Sequence, residues 1–379
     1  LGEWGQPYKV HDTQLDMQDK FSGANDPKWI NLIVGHLSHL INNKGYTCIK
    51  YYNLVNEPNG YWSSVDGNWQ NWKEGVIMLN NSIIEEGLVG QIKIIGPDAT
   101  PYNNEKSKFT GREWAIESVF QLDTVLGAYD VHDYPTKEYV RSGNFQKDYS
   151  KLIAFADSVA PKPFFLGEVG LEKYVEPNIK RYEADPYASS DSQMSVYDYD
   201  YGVDMADVLA QSMNSGFDAT IAWGLDDAMH TNGDTGDRHQ LKRWGMWNSL
   251  GSELTGDPND EEIRPWFYTW ALMTRYYPSG TKIIKMDGEI PKSVRVVAGI
   301  YNDALTMTLV NNSEEDHSFH FELYHNGDQL FTKYVYTEDY RAVDKNYFPK
   351  PISDEISVKG DYMIKVPAKS VILLTSIKL

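Results

Sequence analysis

Apolar side chains along the first two thirds of the chain follow two alternating patterns, one with the period of a helix and one typical of buried strands. Residues 27–40 are apolar on one helical face, and the largely apolar residues 48–55 follow as a strand. Further strands are predicted at 93–96, 125–131, 163–167 and 219–223, and the intervening helices near 69–87, 112–121, 147–159 and 203–214. Alternation at this spacing predicts parallel strands joined by helices.

After Pro278 the helical pattern stops, and short strand-like runs follow one another between Asn, Gly and Asp turns. These runs cover 293–300, 305–310, 318–323, 330–336 and 370–376. The fold that this pattern favours is a β-sandwich. We therefore expect an α/β domain over residues 1–280 and an all-β sandwich over residues 281–379.

The composition of the chain argues against several classes of function. The 379 residues carry a formal net charge of −19, which argues against a nucleic-acid partner because phosphate binding needs a basic surface. No apolar run reaches the roughly 18 residues that a membrane span needs. Cys48 is the single cysteine, so neither a disulfide within the chain nor a cysteine-based zinc site is possible. The 11 Trp and 26 Tyr suit the faces of sugar rings, although large β-rich proteins bury many aromatic residues anyway.

Two carboxylates stand directly after apolar strands. Glu57 follows the run 51–55, and Glu168 follows the run 164–167. In a parallel α/β barrel the carboxyl ends of the strands converge on one mouth, where active sites form. The two glutamates are 111 residues apart in sequence, close to three strand–helix units of about 37 residues. Retaining glycoside hydrolysis needs such a pair, one nucleophile and one acid/base, about 5 to 5.5 Å apart.

Four segments carry a resemblance to a known group of enzymes. Residues 54–59 (LVNEPN) resemble the fourth-strand motif of the clan A glycoside hydrolases, which include families five, thirty and thirty-nine. Residues 131–135 resemble the sixth strand of that clan, 165–170 the seventh and 222–224 the eighth. The segments occur in the right order at fitting spacing. The resemblance implies a (β/α)8 TIM barrel and a retaining β-glycoside hydrolase.

The resemblance also implies roles for individual residues. Glu57 would protonate the leaving oxygen and then activate water, while Glu168 would form the covalent glycosyl-enzyme. Asn56 would hydrogen-bond the 2-hydroxyl of the sugar, a contact that tightens in the transition state. His132 would lie beside the acid/base or the sugar, and Tyr134 would orient the nucleophile. The alternative interpretation is that His132 and Tyr134 only pack against each other at the end of the barrel.

Other aromatic and acidic residues near the predicted mouth leave two interpretations open. Trp223 would form the floor of the sugar subsite or belong to the core. Asp98, after the fifth strand, would bind a sugar hydroxyl or cap the next helix. Trp62, like its neighbours Tyr61 and Trp69, would line a subsite or serve local packing.

Two loop segments also invite a functional interpretation. The stretch 197–201 alternates Tyr and Asp and is expected in a long loop, either at the rim of the cleft or solvated. Four aspartates after the eighth strand suggest calcium, but their spacing lacks the final glutamate of an EF-hand loop, so solvated charges are favoured. These four are Asp226, Asp227, Asp234 and Asp237.

The front of the chain departs from the clan pattern. A complete barrel needs about 110 residues before the acid/base strand, and only 46 precede Thr47. Residues 1–27 resemble a loop more than strands. We therefore expect a barrel without strands one, two and most or all of three, in a chain cut from something longer. His11 is the candidate for the sugar-subsite histidine that the clan carries on strand three.

Three functions fit these residues. The first is a retaining β-glycosidase acting on β-linked oligo- or polysaccharide, and the second is a transglycosylase in which a sugar resolves the intermediate. The third is a carbohydrate-binding protein on a hydrolase scaffold, which would not need both Glu57 and Glu168. The expected partner is carbohydrate, with no cofactor, no metal and no nucleic acid, in an extracellular or periplasmic bacterial location. Sugar identity, exo or endo action and oligomeric state stay open.

Overall fold

The computed structural model describes residues 23–227, 241–323, 329–358 and 360–378. Its helices are α1 (Pro27–Ser38), α2 (Trp69–Glu85), α3 (Gly111–Gln121), α4 (Lys137–Arg141), α5 (Asn144–Val159), α6 (Glu176–Ala184), α7 (Tyr199–Ser215), α8 (Gly251–Leu254) and α9 (Pro265–Tyr276). Its strands are β1 (Tyr51–Asn53), β2 (Lys93–Ala99), β3 (Leu126–Asp133), β4 (Phe164–Val169), β5 (Ala219–Ala222), β6 (Lys282–Ile284), β7 (Val294–Tyr301), β8 (Ala304–Asn311), β9 (His317–Leu323), β10 (Gln329–Tyr336), β11 (Ser353–Val358), β12 (Gly360–Val366) and β13 (Ser370–Thr375).

The described residues form two compact units. The first consists of residues 23–133, 151–169 and 217–221, and the second of 134–150, 170–216, 222–227, 241–323, 329–358 and 360–378. No helix in the described part of the chain combines the length and apolar character needed to cross a bilayer. Residues 1–22, with the expected loop and His11, lie outside the described residues.

The first unit contains an open parallel sheet of five strands in the order β1-β2-β3-β4-β5. Pairs β1–β2, β2–β3 and β3–β4 are parallel, and each strand lies beside its neighbour in sequence. Within the described ranges this is half of a barrel, and its strands coincide with the segments expected for barrel strands four to eight. The predicted succession of parallel strand–helix units is therefore confirmed.

Local sequence explains where the helices of this unit begin. The Asp26 carboxylate accepts a hydrogen bond from Lys28 N at 2.8 Å, and Pro27 occupies the first turn of α1, where its missing N–H is no loss. Thr110 and Glu113 form a reciprocal capping box at the start of α3. Trp69 is buried against Trp72, Trp114 and Phe109, so of its two interpretations the structure supports local packing.

The second unit contains the predicted β-sandwich. A six-stranded sheet has the order β11-β10-β13-β8-β7-β6, and a two-stranded sheet pairs β12 with β9. Both sheets contribute to one apolar core, which includes Leu309 and Ile372 from the larger sheet and Phe321 and Ile364 from the smaller. Strand β6, the first of the sandwich, follows residue 280 closely. The domain boundary there stays a prediction.

The Tyr–Asp stretch at 197–201 is not the loop that the sequence suggested. Helix α7 begins at Tyr199, four residues before the predicted start, and Tyr201 is fully buried. Tyr199 stacks on Tyr336 of β10 with ring centroids 5.0 Å apart. The physical reason is long-range: α7 packs against α9 and the sandwich, and these partners stand far along the chain.

Candidate active site

The candidate site lies at the carboxyl ends of β1 to β4, the edge at which parallel strands present their last residues. Glu57 follows β1 by four residues, Asp98 lies in β2, His132 in β3 and Glu168 in β4. His132 stands directly opposite Glu168 in the register of β3 and β4. All four residues belong to the first unit.

Glu57 is held by two neighbouring side chains. Its Oε2 accepts a hydrogen bond from the indole N–H of Trp62 at 2.6 Å, and its Oε1 lies 3.1 Å from Nδ1 of His132. Only 7% of Glu57 is exposed. A buried carboxyl with a partner on each oxygen has a fixed orientation, which a group that transfers protons at a defined position needs.

The spacing between the two glutamates is short. A carboxylate oxygen of Glu57 and one of Glu168 lie within 4.8 Å of each other, and both lie within 4.8 Å of a ring nitrogen of His132. Inverting glycosidases separate their carboxyl groups by about 6.5 to 9.5 Å, and retaining enzymes by about 5 to 5.5 Å. The Glu168 side chain is the more open of the two, at 17% exposed against 9%.

His132 is surrounded by carboxylates. Its Nε2 lies 2.9 Å from Asp98 Oδ1, and its Nδ1 lies 3.8 Å from Glu168 Oε2 in addition to its contact with Glu57. Burial by itself lowers the pKa of His132, but the charges of Asp98 and Glu168 and the hydrogen bonds to Asp98 and Glu57 raise it well above its usual value. The raised pKa favours the imidazolium form, in which both ring nitrogens donate.

Asp98 forms hydrogen bonds that link β2 to β1 and to the loop after β1. Its Oδ2 accepts from Asn53 Nδ2 at 2.5 Å and from the backbone N–H of Glu57 at 3.3 Å. Both Glu57 and Asp98 have a positive φ, 47° and 61°, which few residues other than glycine adopt. Such backbone persists only where its surroundings hold it, and it is concentrated at functional sites. Thr110, not Asp98, caps the following helix.

Asp130 and Gly167 belong to this cluster but were not predicted from the sequence. Asp130 lies in β3 two residues before His132, and its Oδ1 accepts from the backbone N–H of Gly167 at 2.8 Å. A Cβ at position 167 would lie 2.3 to 2.4 Å from the carboxylate oxygens of Asp130, so only glycine allows this approach. A signal was available, because alternate residues of a strand share a face and an acidic residue accompanies His132 there.

Asn56 offers an unsatisfied donor next to Glu57. Its amide nitrogen is buried and has no hydrogen-bond partner among the described residues. Buried polar atoms are nearly always paired, and an unpaired one needs an explanation such as a ligand contact. A substrate hydroxyl that accepts from this nitrogen would supply the missing bond.

Trp62 is also the centre of an aromatic group. Its ring contacts Tyr61 and Tyr102, each with centroids 5.0 Å away, and the two tyrosines are 61% and 43% exposed. The indole N–H of Trp62 therefore binds Glu57, while the aromatic neighbours of Trp62 face solvent. Exposed, clustered aromatic rings of this kind provide flat apolar surface with polar handles.

Tyr134 and Trp223 belong to the second unit, whereas the carboxylate pair belongs to the first. Tyr134 packs edge-on against Trp244 with centroids 5.3 Å apart. Gly170 lies between these rings, since a Cβ there would come within 2.7 Å of Trp244 and 3.0 Å of Tyr134. Trp223 follows β5, is half-buried and precedes Gly224 through a cis peptide bond. Their catalytic and subsite roles stay predictions.

In the described part of the chain, two groups of acidic and imidazole side chains come close enough for a metal ion: Glu57 with His132 and Glu168, and Asp98 with Asp130 and His132. A metal needs a free lone pair on the imidazole. Both ring nitrogens of His132 already face carboxylate oxygens at hydrogen-bond distance. We therefore interpret both groups as hydrogen-bonded carboxyl–imidazole clusters.

Of the four aspartates after β5 that had suggested calcium, the two in the described residues accept hydrogen bonds from other protein groups. Asp227 is fully buried and accepts a bidentate pair of hydrogen bonds from the Arg264 guanidinium, one of them 2.7 Å long. Asp226 accepts from Ser249 N at 3.0 Å. The other two, Asp234 and Asp237, lie outside the described residues.

Comparison with known proteins gives a consistent fold and little sequence similarity. No protein-family model and no curated protein sequence matches the chain. A glycoside hydrolase family 30 subfamily 8 xylanase from Clostridium acetobutylicum matches with a TM-score of 0.59 at 15% identity, over 92% of this chain and 72% of that one. A GH39 β-xylosidase from Caulobacter crescentus gives 0.59 at 12%, over 92% and 71%. A conserved exported protein from Bacteroides fragilis gives 0.64 at 14%, over 92% and 69%.

These likenesses establish the fold. The chain shares the architecture of the family 30 and family 39 glycoside hydrolases over nine tenths of its length, as a half barrel followed by an antiparallel β domain. It spans about seven tenths of the length of the three matched chains.

Proposed function

We propose that the chain, whose fold is that of the clan A glycoside hydrolases, carries the site of a retaining β-glycoside hydrolase acting on β-linked oligo- or polysaccharide. The observation that supports this most strongly is the approach of a Glu57 oxygen to a Glu168 oxygen within 4.8 Å. An approach of this size is compatible with the close carboxyl pair of retaining enzymes, about 5 to 5.5 Å apart, and favours direct attack on the sugar by one carboxylate.

Two steps follow from this assignment. In the first, the Glu168 carboxylate attacks the anomeric carbon, the bond to the leaving oxygen breaks, and Glu57 gives that oxygen its proton. In the second, Glu57 takes a proton from water, the water oxygen attacks the anomeric carbon, and the bond to Glu168 breaks. The greater exposure of the Glu168 side chain fits the attacking group, and the fixed orientation of Glu57 fits the proton donor.

Asn56 supports the same reaction from the sugar side. Its buried, unpaired amide nitrogen is available to donate to the 2-hydroxyl oxygen. A hydrogen bond to that hydroxyl strengthens as positive charge develops at the neighbouring anomeric carbon, so it stabilises the transition state more than the ground state.

The aromatic group around Trp62 supports a sugar as the leaving group. Glu57 protonates the leaving oxygen, so whatever adjoins Glu57 on its solvent side faces the departing part of the substrate. Trp62 adjoins Glu57 through its indole N–H, and the exposed rings of Tyr61 and Tyr102 extend from it. Rings of this kind stack on the C–H faces of a pyranose. An extracellular or periplasmic location would fit a glycan substrate.

The test is hydrolysis of a panel of activated aryl β-glycosides by the full chain and its variants. We expect Glu168→Ala to abolish turnover, and Glu57→Ala to retain the glycosylation of activated substrates while losing the second step. Azide, which needs no general base, is expected to restore turnover of Glu57→Ala as a β-glycosyl azide. Glu85→Gln, on an exposed face of α2, is the matched control. Full activity of Glu168→Ala would overturn the proposal.

A further inference from the structure

The Asp98 carboxylate is surrounded by hydrogen-bond donors. Its Oδ1 faces Nε2 of His132 at 2.9 Å, and its Oδ2 accepts from Asn53 Nδ2 and from the backbone N–H of Glu57. An ionised carboxylate has about four acceptor sites and no donor. Three of the four sites are therefore accounted for, and all three partners are donors.

Asp130 occupies the remaining side of Asp98. An oxygen of each carboxyl group lies within 4.8 Å of an oxygen of the other, and only 5% of Asp130 is exposed. Asp130 Oδ1 is engaged by the N–H of Gly167, at a distance that the missing Cβ of Gly167 makes possible. Two ionised carboxylates buried this close repel each other, so the pair is expected to keep one proton. Since the other partners of Asp98 are donors, that proton belongs to Asp130.

Among the described residues, two ionisable groups and one backbone amide face Asp130. Asp98 approaches from β2, His132 lies two residues along the same strand, and Gly167 presents its amide from β4. Burial and the Asp98 charge raise the pKa of Asp130 well above its usual value, while His132 and the amide offset part of the effect. The electrostatic surroundings therefore agree with the donor and acceptor count.

We propose that Asp130 is held as a neutral carboxylic acid whose hydroxyl donates to Asp98, and that this bond positions Asp98 and His132 beside the acid/base Glu57. The proposal rests on the function proposed above and assigns Asp130 as a positioning residue, three hydrogen bonds away from the Glu57 carboxyl. Its consequence is a directed chain, in which Asp130 donates to Asp98, Asp98 accepts from His132, and His132 meets Glu57.

Asparagine and leucine at position 130 separate this role from simple packing. In Asp130→Asn the amide NH2 can donate to Asp98 while the amide oxygen still accepts from Gly167 N, so the protonated acid is imitated. Asp130→Leu has a similar volume but neither group. We expect Asp130→Asn to keep at least about tenfold more kcat/KM than Asp130→Leu, the size expected for one hydrogen bond to a charged acceptor. The pH profile of Asp130→Leu should also shift, because Asp98, which accepts from His132, loses the donor that holds it in place.

Asp98→Asn is the complementary variant. An asparagine there must turn one NH2 toward a site where three donors already point, so a donor would face a donor. We expect its kcat/KM to fall at least as far as that of Asp130→Leu. Equal losses in Asp130→Asn and Asp130→Leu would overturn the proposal, and so would a kcat/KM of Asp98→Asn above that of Asp130→Asn.

An infrared difference spectrum keeps this proposal separate from the proposed function. At neutral pH the intact chain should show the C=O stretch of a protonated carboxylic acid, sensitive to deuterium, that Asp130→Asn lacks. Absence of that band would overturn the neutral-acid assignment whatever the enzyme activity. Presence of the band in a chain that hydrolyses no β-glycoside would leave Asp130 as assigned and refute the proposed function.

Discussion

The Asp130→Asn replacement also predicts a change in stability that needs no substrate. Burial and the neighbouring Asp98 raise the pKa of Asp130 in the folded chain. A carboxyl with a raised folded pKa contributes stability that is complete below its unfolded pKa of about 3.9 and is lost as the pH rises through the folded pKa. Asparagine has no such proton, so the free energy of unfolding of the variant should not show this fall with rising pH.

The size of the effect follows from one proton. Between the unfolded and folded pKa of Asp130 the folded chain binds one more proton at this site than the unfolded chain. The free energy of unfolding of the parent should therefore fall by up to about 1.4 kcal/mol per pH unit relative to Asp130→Asn. From pH 5 to pH 7 the difference between the two proteins should therefore change in favour of the variant.

Urea unfolding of both proteins at pH 5, 6 and 7 measures this difference directly. Val131→Ala is the control, because it removes buried apolar volume on the same strand without removing an ionisable group. The free energy of unfolding of Val131→Ala should differ from that of the parent by the same amount at each pH. Parallel stability curves for the parent and Asp130→Asn would refute the assignment of a buried neutral acid at position 130.

Three further replacements test other contacts. Trp62→Phe removes the N–H donor to Glu57 and should lower kcat/KM about tenfold for poor leaving groups, and less for activated aryl glycosides, in steady-state assays. Tyr61→Ala should raise KM for oligosaccharides severalfold, and less for a glycosyl fluoride, whose leaving group has no ring to stack. Arg264→Met leaves the Asp227 carboxylate buried without its partner and should lower the free energy of unfolding by about 3 to 5 kcal/mol in urea.

Arg264→Met and Tyr61→Ala each have a matched control variant, and the two substrate classes serve as the control for Trp62→Phe. Lys180→Ala breaks an ion pair whose side chains are 70% and 78% exposed and should cost less than about 1 kcal/mol. Tyr46→Ala removes a half-exposed tyrosine from a loop distant in sequence from the Trp62 group. Equal effects of Trp62→Phe on both substrate classes, or of Tyr61→Ala on both sugar donors, would contradict the assignments. So would equal costs for Arg264→Met and Lys180→Ala.

Much of the half barrel is readable from the sequence, because each strand is a short apolar run that ends in a polar residue. The run before Glu57 and the run before Glu168 are of this kind, and both became strands of the parallel sheet. The sandwich was equally readable, since its strands alternate and its turns carry Asn, Gly and Asp. Burial on one or both faces imposes these patterns locally, so a single sequence reveals them.

The contacts inside the site are less readable because they join distant segments. Trp62 reaches Glu57 because of the course that the loop after β1 takes. Hydrophobic periodicity does not predict the course of a loop. Asp130 carried a usable signal in its position two residues from His132, but its partner Asp98 is on another strand. Similarly, Tyr201 is buried by residues far along the chain, and its polar neighbours in sequence suggested a solvated loop.

The central claim, that Glu168 attacks the sugar, is tested most directly by trapping the intermediate. A 2-deoxy-2-fluoro β-glycoside with a good leaving group slows the second step more than the first and allows the glycosyl-enzyme to accumulate. Peptide mapping of the inactivated full chain by mass spectrometry then locates the sugar. The account predicts one glycosyl ester on Glu168, which is lost in Glu168→Gln. An ester on Glu57, or turnover to product of inverted configuration with no ester at all, would contradict it.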